Sequence, residues 1–195
     1  MSNASTGIVL CGVGGQGTVL ATRLIASAAM ERGLAVNTAE TIGMAQRGGS
    51  VFTHVRLGEG VPTPLIGRAK ADLIIAFEPA EAVRQLAHLK EGGCVVVANA
   101  PIVPVSAMTG GPAYNVDEIL GYLRKNVSKL MEVDARKAAE DLGSAKCLNV
   151  VLLGAAVRTG MLGLSEQDIA EALERLVPER FLELNRRALR YAKQQ

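Results

Sequence analysis

Two glycine-bearing segments hold the residues of this chain best suited to binding chemistry: Gly12-Val13-Gly14-Gly15-Gln16-Gly17 and, further on, Gln46-Arg47-Gly48-Gly49-Ser50. In the first, Gly12, Gly14 and Gly17 have the G-x-G-x-x-G spacing. Missing Cβ atoms there permit a tight turn, close approach of a phosphate and close packing of a helix on a strand. Backbone N–H groups left unpaired at the start of the following helix attract an anion. Gln16 either donates to that anion or caps the helix start. The dinucleotide fingerprint also wants an acidic residue at the end of the second strand, to hold a ribose hydroxyl. Glu40 stands there, after Leu34-Ala35-Val36-Asn37-Thr38. The competing explanation of the glycines is packing alone, with no nucleotide bound.

The elements that must position these residues follow from periodicity. The apolar run Ile8-Val9-Leu10-Cys11 reads as a buried strand, and Thr18 to Arg32 carries Val19, Leu20, Leu24, Ile25, Ala28 and Ala29 at near-helical spacing. The loop therefore joins a strand to a helix N-terminus. Val51 to Leu57 alternates like a half-exposed strand, whereas Ala71 to Phe77 and Cys94 to Ala98 read as buried ones. Pro79 opens a helix over Ala80 to Leu89, and Gly92-Gly93 stops it before the next strand. Pro101, Pro104 and Gly110-Gly111-Pro112 mark a long irregular connection. Beyond it, Asp117 to Asn126, Ala135 to Leu142, Leu148 to Thr159, Ser165 to Leu176 and Pro178 to Lys193 read as helices, with Ser165 as an N-cap and Glu166 and Asp168 in the first turn. The expected fold is α/β and Rossmann-like: a mainly parallel sheet flanked by helices, with a helical C-terminal third. Residues 1–195 are expected to form one domain, a usual size for a single core.

Composition narrows the function classes. With 21 basic against 19 acidic residues, a net charge of +2 and 3% aromatics, the chain has neither the electrostatic footprint nor the stacking platform of a nucleic-acid binder. The basic residues from Arg180 to Lys193 alternate with Glu179 and Glu183 as on a solvated helix face. No stretch approaches the ~18 uninterrupted apolar residues of a membrane span. The first residues, Met1 to Thr6, have neither a basic region nor a separate apolar stretch, which predicts a cytoplasmic location. Cys11, Cys94 and Cys147 are widely spaced beside apolar residues, as buried reduced thiols are, and match no disulfide, metal or iron–sulfur pattern.

Taken together, Gly12 to Gly17, then Gly43-Met44-Ala45-Gln46-Arg47-Gly48-Gly49-Ser50-Val51 with His54-Val55-Arg56, then Ala71-Asp72-Leu73-Ile74-Ile75-Ala76-Phe77-Glu78-Pro79, carry a resemblance over nearly the whole chain. The chain resembles the gamma-type subunits and domains of 2-oxoacid:ferredoxin oxidoreductases. Within them it is most similar to the beta-subunit branch of the indolepyruvate ferredoxin oxidoreductases. Leu142-Gly143, Asn149, Gly154 and Asn185 stand where that family's helical tail has similar residues. Met44-Ala45-Gln46 before Arg47-Gly48-Gly49 points to the arylpyruvate branch.

The resemblance implies oxidative decarboxylation of a 2-oxo acid with coenzyme A, the electrons passing through iron–sulfur clusters to ferredoxin. It implies that thiamine diphosphate, magnesium and 4Fe–4S clusters reside on a large partner subunit. This chain has no Gly-Asp-Gly segment with a downstream Asn and no closely spaced cysteines, so it is expected to be inactive alone and to bear no catalytic residue. The residues expected to meet coenzyme A or the shared active-site edge are Gly12, Gly14, Gly15, Gln16, Gly17, Arg47, Gly48 and Gly49. A guanidinium presents a planar donor fork, and flanking glycines let phosphate or carboxylate reach the backbone. Alternatively Arg47 pairs with a partner carboxylate or packs in a turn.

His54, between Thr53 and Val55, reads as a structural histidine more than a proton-transfer group, and His88 as a solvated helix-end residue. Met44 either lines an apolar edge or fills core, and Glu78 either faces the ligand edge or caps a helix. Two further readings stay open: a free-standing dinucleotide-binding oxidoreductase that uses the glycine loop and Glu40, and a non-catalytic scaffold subunit.

Overall fold

The structure, a computed structural model, describes residues 5–41, 49–59, 63–111 and 113–191, apart from the side chain of residue 106. A six-stranded sheet runs in the order β2-β3-β1-β4-β5-β6. Its strands are β1 (Thr6–Val13), β2 (Val36–Thr41), β3 (Ser50–Leu57), β4 (Ala71–Ala76), β5 (Leu89–Ala98) and β6 (Lys129–Val133). β1, β4, β5 and β6 pair in parallel, while β3 is antiparallel to both β1 and β2. The helices are α1 (Thr18–Glu31), α2 (Pro79–Gln85), α3 (Val105–Met108), α4 (Val116–Asn126), α5 (Ala135–Leu142), α6 (Leu148–Arg158), α7 (Glu166–Leu176) and α8 (Glu179–Tyr191). The expected α/β architecture with a mainly parallel sheet is therefore found.

Both faces of the sheet are covered, which is why its central strands are apolar without interruption. Alternate residues of β1 point to opposite sides. Ile8 and Leu10 join Leu73, Ile75 and Val96 under α1, α6, α7 and α8. Val9 and Cys11 join Ile74, Ala76, Val95 and Val97 under Ala82 of α2 and Leu120 and Leu123 of α4. Each large aliphatic side chain buried this way contributes about 1.5–3 kcal/mol relative to exposure. α6 is buried continuously from Asn149 to Ala156, so it is apolar all round. It meets α8 at Gly154, where a Cβ would lie 2.1 Å from the Leu189 carbonyl oxygen.

Four local expectations need correction. The helix after Pro79 ends at Gln85, and a 3-10 turn over Leu86–His88 leads into β5 at Leu89. Gly92 and Gly93 thus lie inside β5, where the pairing with β4 shifts register between Ala71 and Leu73. Gly92 takes φ 72°, and Gly93 leaves room for the Ala71 carbonyl, 3.1 Å from where its Cβ would be. β3 is more buried than alternation suggests, with Thr53, His54, Val55 and Leu57 all enclosed, because it lies between β1 and β2 and under α1. Lys129–Val133 forms the edge strand β6, and its short mixed sequence gave no strand signal. Finally, Glu40 lies in β2, which β3 separates from β1. It is exposed and about 10 Å from β1 by strand spacing, so it cannot be the ribose-binding acid of an adjacent second strand.

Candidate functional site at the carboxyl edge of the sheet

β1 and β4 are neighbours in the sheet, yet the helices that follow them lie on opposite faces. α1 packs with the layer of α6 and α7, and α2 with α4. Chains that leave adjacent strands in opposite directions open a crevice at their carboxyl ends, where open α/β sheets bind ligands. The glycine loop forms one wall of that crevice.

Inside the loop the side chain of Gln16 turns back over the strand end. Its Oε1 accepts the Val13 N–H at 2.7 Å and its Nε2 donates to the Phe77 carbonyl at 2.9 Å. The Phe77 N–H in turn donates to the Cys11 carbonyl at 2.8 Å. Gly12 is required by this closeness: a Cβ there would lie 2.7 Å from Gln16 Oε1 and 2.8 Å from Phe77 Cβ. Gly15 adopts φ 102° with open space where a side chain would be, so its backbone is approachable. Gly17 adopts φ 86° as the N-cap of α1, which has neither a side-chain cap nor an acidic residue in its first turn. The first intrahelical bond runs from the Ala21 N–H to the Gly17 carbonyl, so earlier N–H groups have no partner within the helix.

The second glycine segment reaches the same edge. Gly14 donates its N–H to the Gly49 carbonyl at 2.9 Å, and Ser50 pairs with Val13 across β3 and β1. Of the sequence candidates, Gly12, Gly14, Gly15, Gln16, Gly17 and Gly49 are thus gathered at one place. Arg47, Gly48, Met44 and Gln46 lie outside the described residues.

Two buried carboxylates reinforce the crevice from the α2 side. Glu78, 1% exposed, caps α2 by accepting the Glu81 N–H at 3.0 Å, and also accepts the Tyr114 hydroxyl. Burial, and then the bond to Glu78, hold the Tyr114 hydroxyl well above its ordinary pKa. Glu81, 2% exposed, accepts the Ser50 hydroxyl at 2.5 Å and the Arg84 guanidinium. Ser50, next to the second glycine segment, and Tyr114, at the end of the irregular connection, are therefore anchored to a single helical turn. Beneath them Cys11 is a sealed thiol, its pKa pushed well above the ordinary value by burial and then by Glu81 and Glu78. The sequence reading named Glu78 with either a ligand or a capping role. It missed Glu81 and Tyr114, because nothing in their local spacing separates them from surface residues.

The remaining candidates lie elsewhere. His54 pairs with Val9 in mid-sheet, four residues along β1 from Val13, roughly 13 Å from the edge by strand rise. Its Nδ1 accepts the Ile66 N–H at 3.0 Å, and the His88 ring stands edge-on with centroids 5.1 Å apart. All three cysteines are free and buried. Among the described residues, no group of three or more His, Cys, Asp or Glu is placed to hold a metal ion. No helix among them is long and apolar enough to cross a membrane.

Residues 7–195 match the family described as pyruvate ferredoxin/flavodoxin oxidoreductase. An indolepyruvate oxidoreductase subunit IorB from Archaeoglobus fulgidus is 42% identical over 184 residues, covering 94% of this chain and 91% of that one. The gamma subunit of a keto/oxoacid ferredoxin oxidoreductase from Geobacter sulfurreducens superposes with a TM-score of 0.68 at 28% identity, covering 95% and 94% of the two chains. A 2-oxoglutarate:ferredoxin oxidoreductase from Magnetococcus marinus, solved with 2-oxoglutarate, coenzyme A and succinyl-CoA bound, shares the fold. There the TM-score is 0.70 at 23% identity, and the match covers 97% of this chain but 30% of the other. A family match over almost the whole chain, joined to a close relative of nearly equal length, places this protein in the pyruvate ferredoxin/flavodoxin oxidoreductase family.

Proposed function

We propose that the chain is the non-thiamine-binding subunit of a cytoplasmic 2-oxoacid:ferredoxin oxidoreductase acting on an arylpyruvate such as indolepyruvate, with residues 1–195 as one gamma-type domain. The overall change converts a 2-oxo acid and coenzyme A into an acyl-CoA, carbon dioxide, a proton and two electrons for ferredoxin. Thiamine diphosphate, magnesium and 4Fe–4S clusters are assigned to a large partner subunit, as the family resemblance implies for a sequence without a Gly-Asp-Gly segment or closely spaced cysteines. They supply the carbanion and electron-transfer chemistry there. This chain's contribution is to bind and orient coenzyme A.

The observation that carries this reading is the hydrogen bond from Gly14 to Gly49. It joins the glycine loop to the segment bearing Arg47 at the crevice between β1 and β4. Gly15, Gly17 and the open first turn of α1 offer backbone N–H groups to a phosphate, and Arg47 and Gly48 directly precede Gly49 in the sequence. Gln16 holds the loop in shape. The free-standing dinucleotide enzyme loses support, since Glu40 stands two strands from β1.

The test is a tagged pull-down from native cells, with the eluate assayed for a large chain, thiamine diphosphate, iron and oxo-acid-dependent dye reduction. Arg47→Ala should leave the complex assembled and raise KM for coenzyme A roughly tenfold or more, the loss of a charge-assisted contact. Unchanged coenzyme A kinetics in an intact complex would mean a scaffold, and a lone chain with a bound dinucleotide would refute the assignment.

A further inference from the structure

We infer that Asn149, on α6 in the helical layer, completes the anion site at the glycine loop by donating its side-chain N–H to a diphosphate oxygen held at the N-terminus of α1. The inference rests on the reading of the loop as the coenzyme A end of the site. It adds a donor from a part of the chain distant in sequence from both glycine segments.

Asn149 is 5% exposed, and its Oδ1 accepts the Val150 N–H at 2.9 Å. That bond fixes which end of the amide is nitrogen. The Nδ2 has no acceptor among the described residues. It points at Gly17: a Cβ on that glycine would lie 2.9 Å from Nδ2 and 3.3 Å from Cγ. Among the described residues the buried side-chain atom left without a partner is His54 Nε2, so the Asn149 Nδ2 is open to solvent at this edge and free to be taken by a ligand oxygen. Here it is directed at the one residue that begins α1.

The surroundings define the ligand class. α1, like α6, lacks a side-chain acceptor at its first turn, whereas α2, α4, α5 and α7 are capped by Glu78, Asn115, Asp134 and Ser165. The groups converging on Gly17 are donors: helix N–H groups and the Asn149 amide. Donors without a formal charge select an oxyanion by hydrogen bonding and exclude a cation. A diphosphate, with several oxygens spread along its length, engages the helix start and a side donor together. Gly17 then has two duties, the left-handed turn into α1 and the clearance that lets Asn149 approach.

The experiment uses the assembled complex without oxo acid, so that binding is read apart from turnover. Coenzyme A, ADP and pantetheine are titrated by calorimetry against wild type, Asn149→Asp, Asn149→Ala and Arg47→Ala. Wild type should bind coenzyme A and ADP but not pantetheine, which lacks the diphosphate. Asn149→Asp, with the same shape and a carboxylate in place of the donor, should weaken both diphosphate ligands at least tenfold, and Asn149→Ala should weaken them less. Unchanged affinity in both Asn149 variants, with a loss in Arg47→Ala, overturns the inference and spares the loop reading. No change in any variant overturns both. Should neither Asn149 variant assemble, the Asn149 side-chain amide resonance of the wild-type chain is followed as coenzyme A is added. Movement supports the contact, and an unmoved signal at saturation refutes it.

Discussion

Gln16 and Phe77 are joined by a side-chain amide that spans the carboxyl ends of β1 and β4, its nitrogen donating to the Phe77 carbonyl at 2.9 Å while its oxygen accepts from Val13. The crevice at the strand-order reversal is thereby braced from within. The backbone polar groups that the divergence of α1 and α2 would otherwise strand are paired through one side chain. Gln16 is thus occupied in neither of the ways offered in sequence, as donor to an anion or as cap of α1: its amide shapes the loop whose N–H groups are proposed to meet the ligand.

Gln16→Ala should therefore destabilise the fold by about 2 kcal/mol, because it strands the Val13 N–H and the Phe77 carbonyl in a half-buried turn. Urea unfolding at neutral pH measures this as a lower midpoint with an unchanged slope. Gln16→Glu keeps the acceptor for Val13 but sets a carboxylate against the Phe77 carbonyl, and should cost at least as much. A midpoint unmoved in both variants would show that the brace carries no stability.

Gly154→Ala tests the contact between α6 and α8. In an isolated helix this change stabilises by about 1 kcal/mol. Here the new methyl would meet the Leu189 carbonyl oxygen, a backbone atom, at 2.1 Å. α8 must move away, and overpacking of this kind costs about 1–3 kcal/mol. Thermal unfolding should show a fall in Tm of several degrees. A rise would mean that α8 docks loosely.

Ser165→Ala removes the capping box of α7, in which the Ser165 hydroxyl accepts the Asp168 N–H at 3.2 Å and Asp168 Oδ2 accepts the Ser165 N–H at 2.6 Å. The expected cost is about 1 kcal/mol. It should appear as faster amide exchange in the first turn of α7 with coenzyme A binding intact, since α7 meets the C-terminal end of α1, through Arg32 with Asp168 and Arg175 with Glu31, away from the glycine loop.

Sequence legibility followed the range of the interactions. β1, α1 and the capping box were readable because their signals are local: an apolar run, helical spacing, a Ser with acidic residues behind it. β3 was misjudged in burial, since covering by α1 and the intervening position between β1 and β2 are properties of the sheet. Glu40 was misplaced for the same reason, as no local signal announces that β3 inserts beside β1. The glycine loop was legible as a strand-to-helix turn, but Glu81, Tyr114 and Asn149 reach that edge from 31 or more residues away in sequence or through a different layer. Only the long-range fold brings their polar atoms to the edge.

The histidine in mid-sheet sets a pH dependence. His54 Nδ1 accepts the Ile66 N–H, so the proton of the neutral ring sits on Nε2, which is buried without a partner among the described residues. Protonation would place a second donor against the Ile66 N–H and a charge beside His88. Burial, and then His88, hold the His54 pKa below its ordinary value of 6.5. In the unfolded chain the ring titrates near that ordinary value, so between the folded and unfolded pKa the unfolded state binds the extra proton. Stability should be full above about pH 6.5 and fall as the pH drops below it, down to the folded pKa. His54→Gln should flatten that limb of the profile, because an amide at this position has no charge to gain. Urea midpoints at pH 5.5 and 7.5 in both proteins check the difference, and a wild-type profile parallel to that of the variant would exclude His54 as its source.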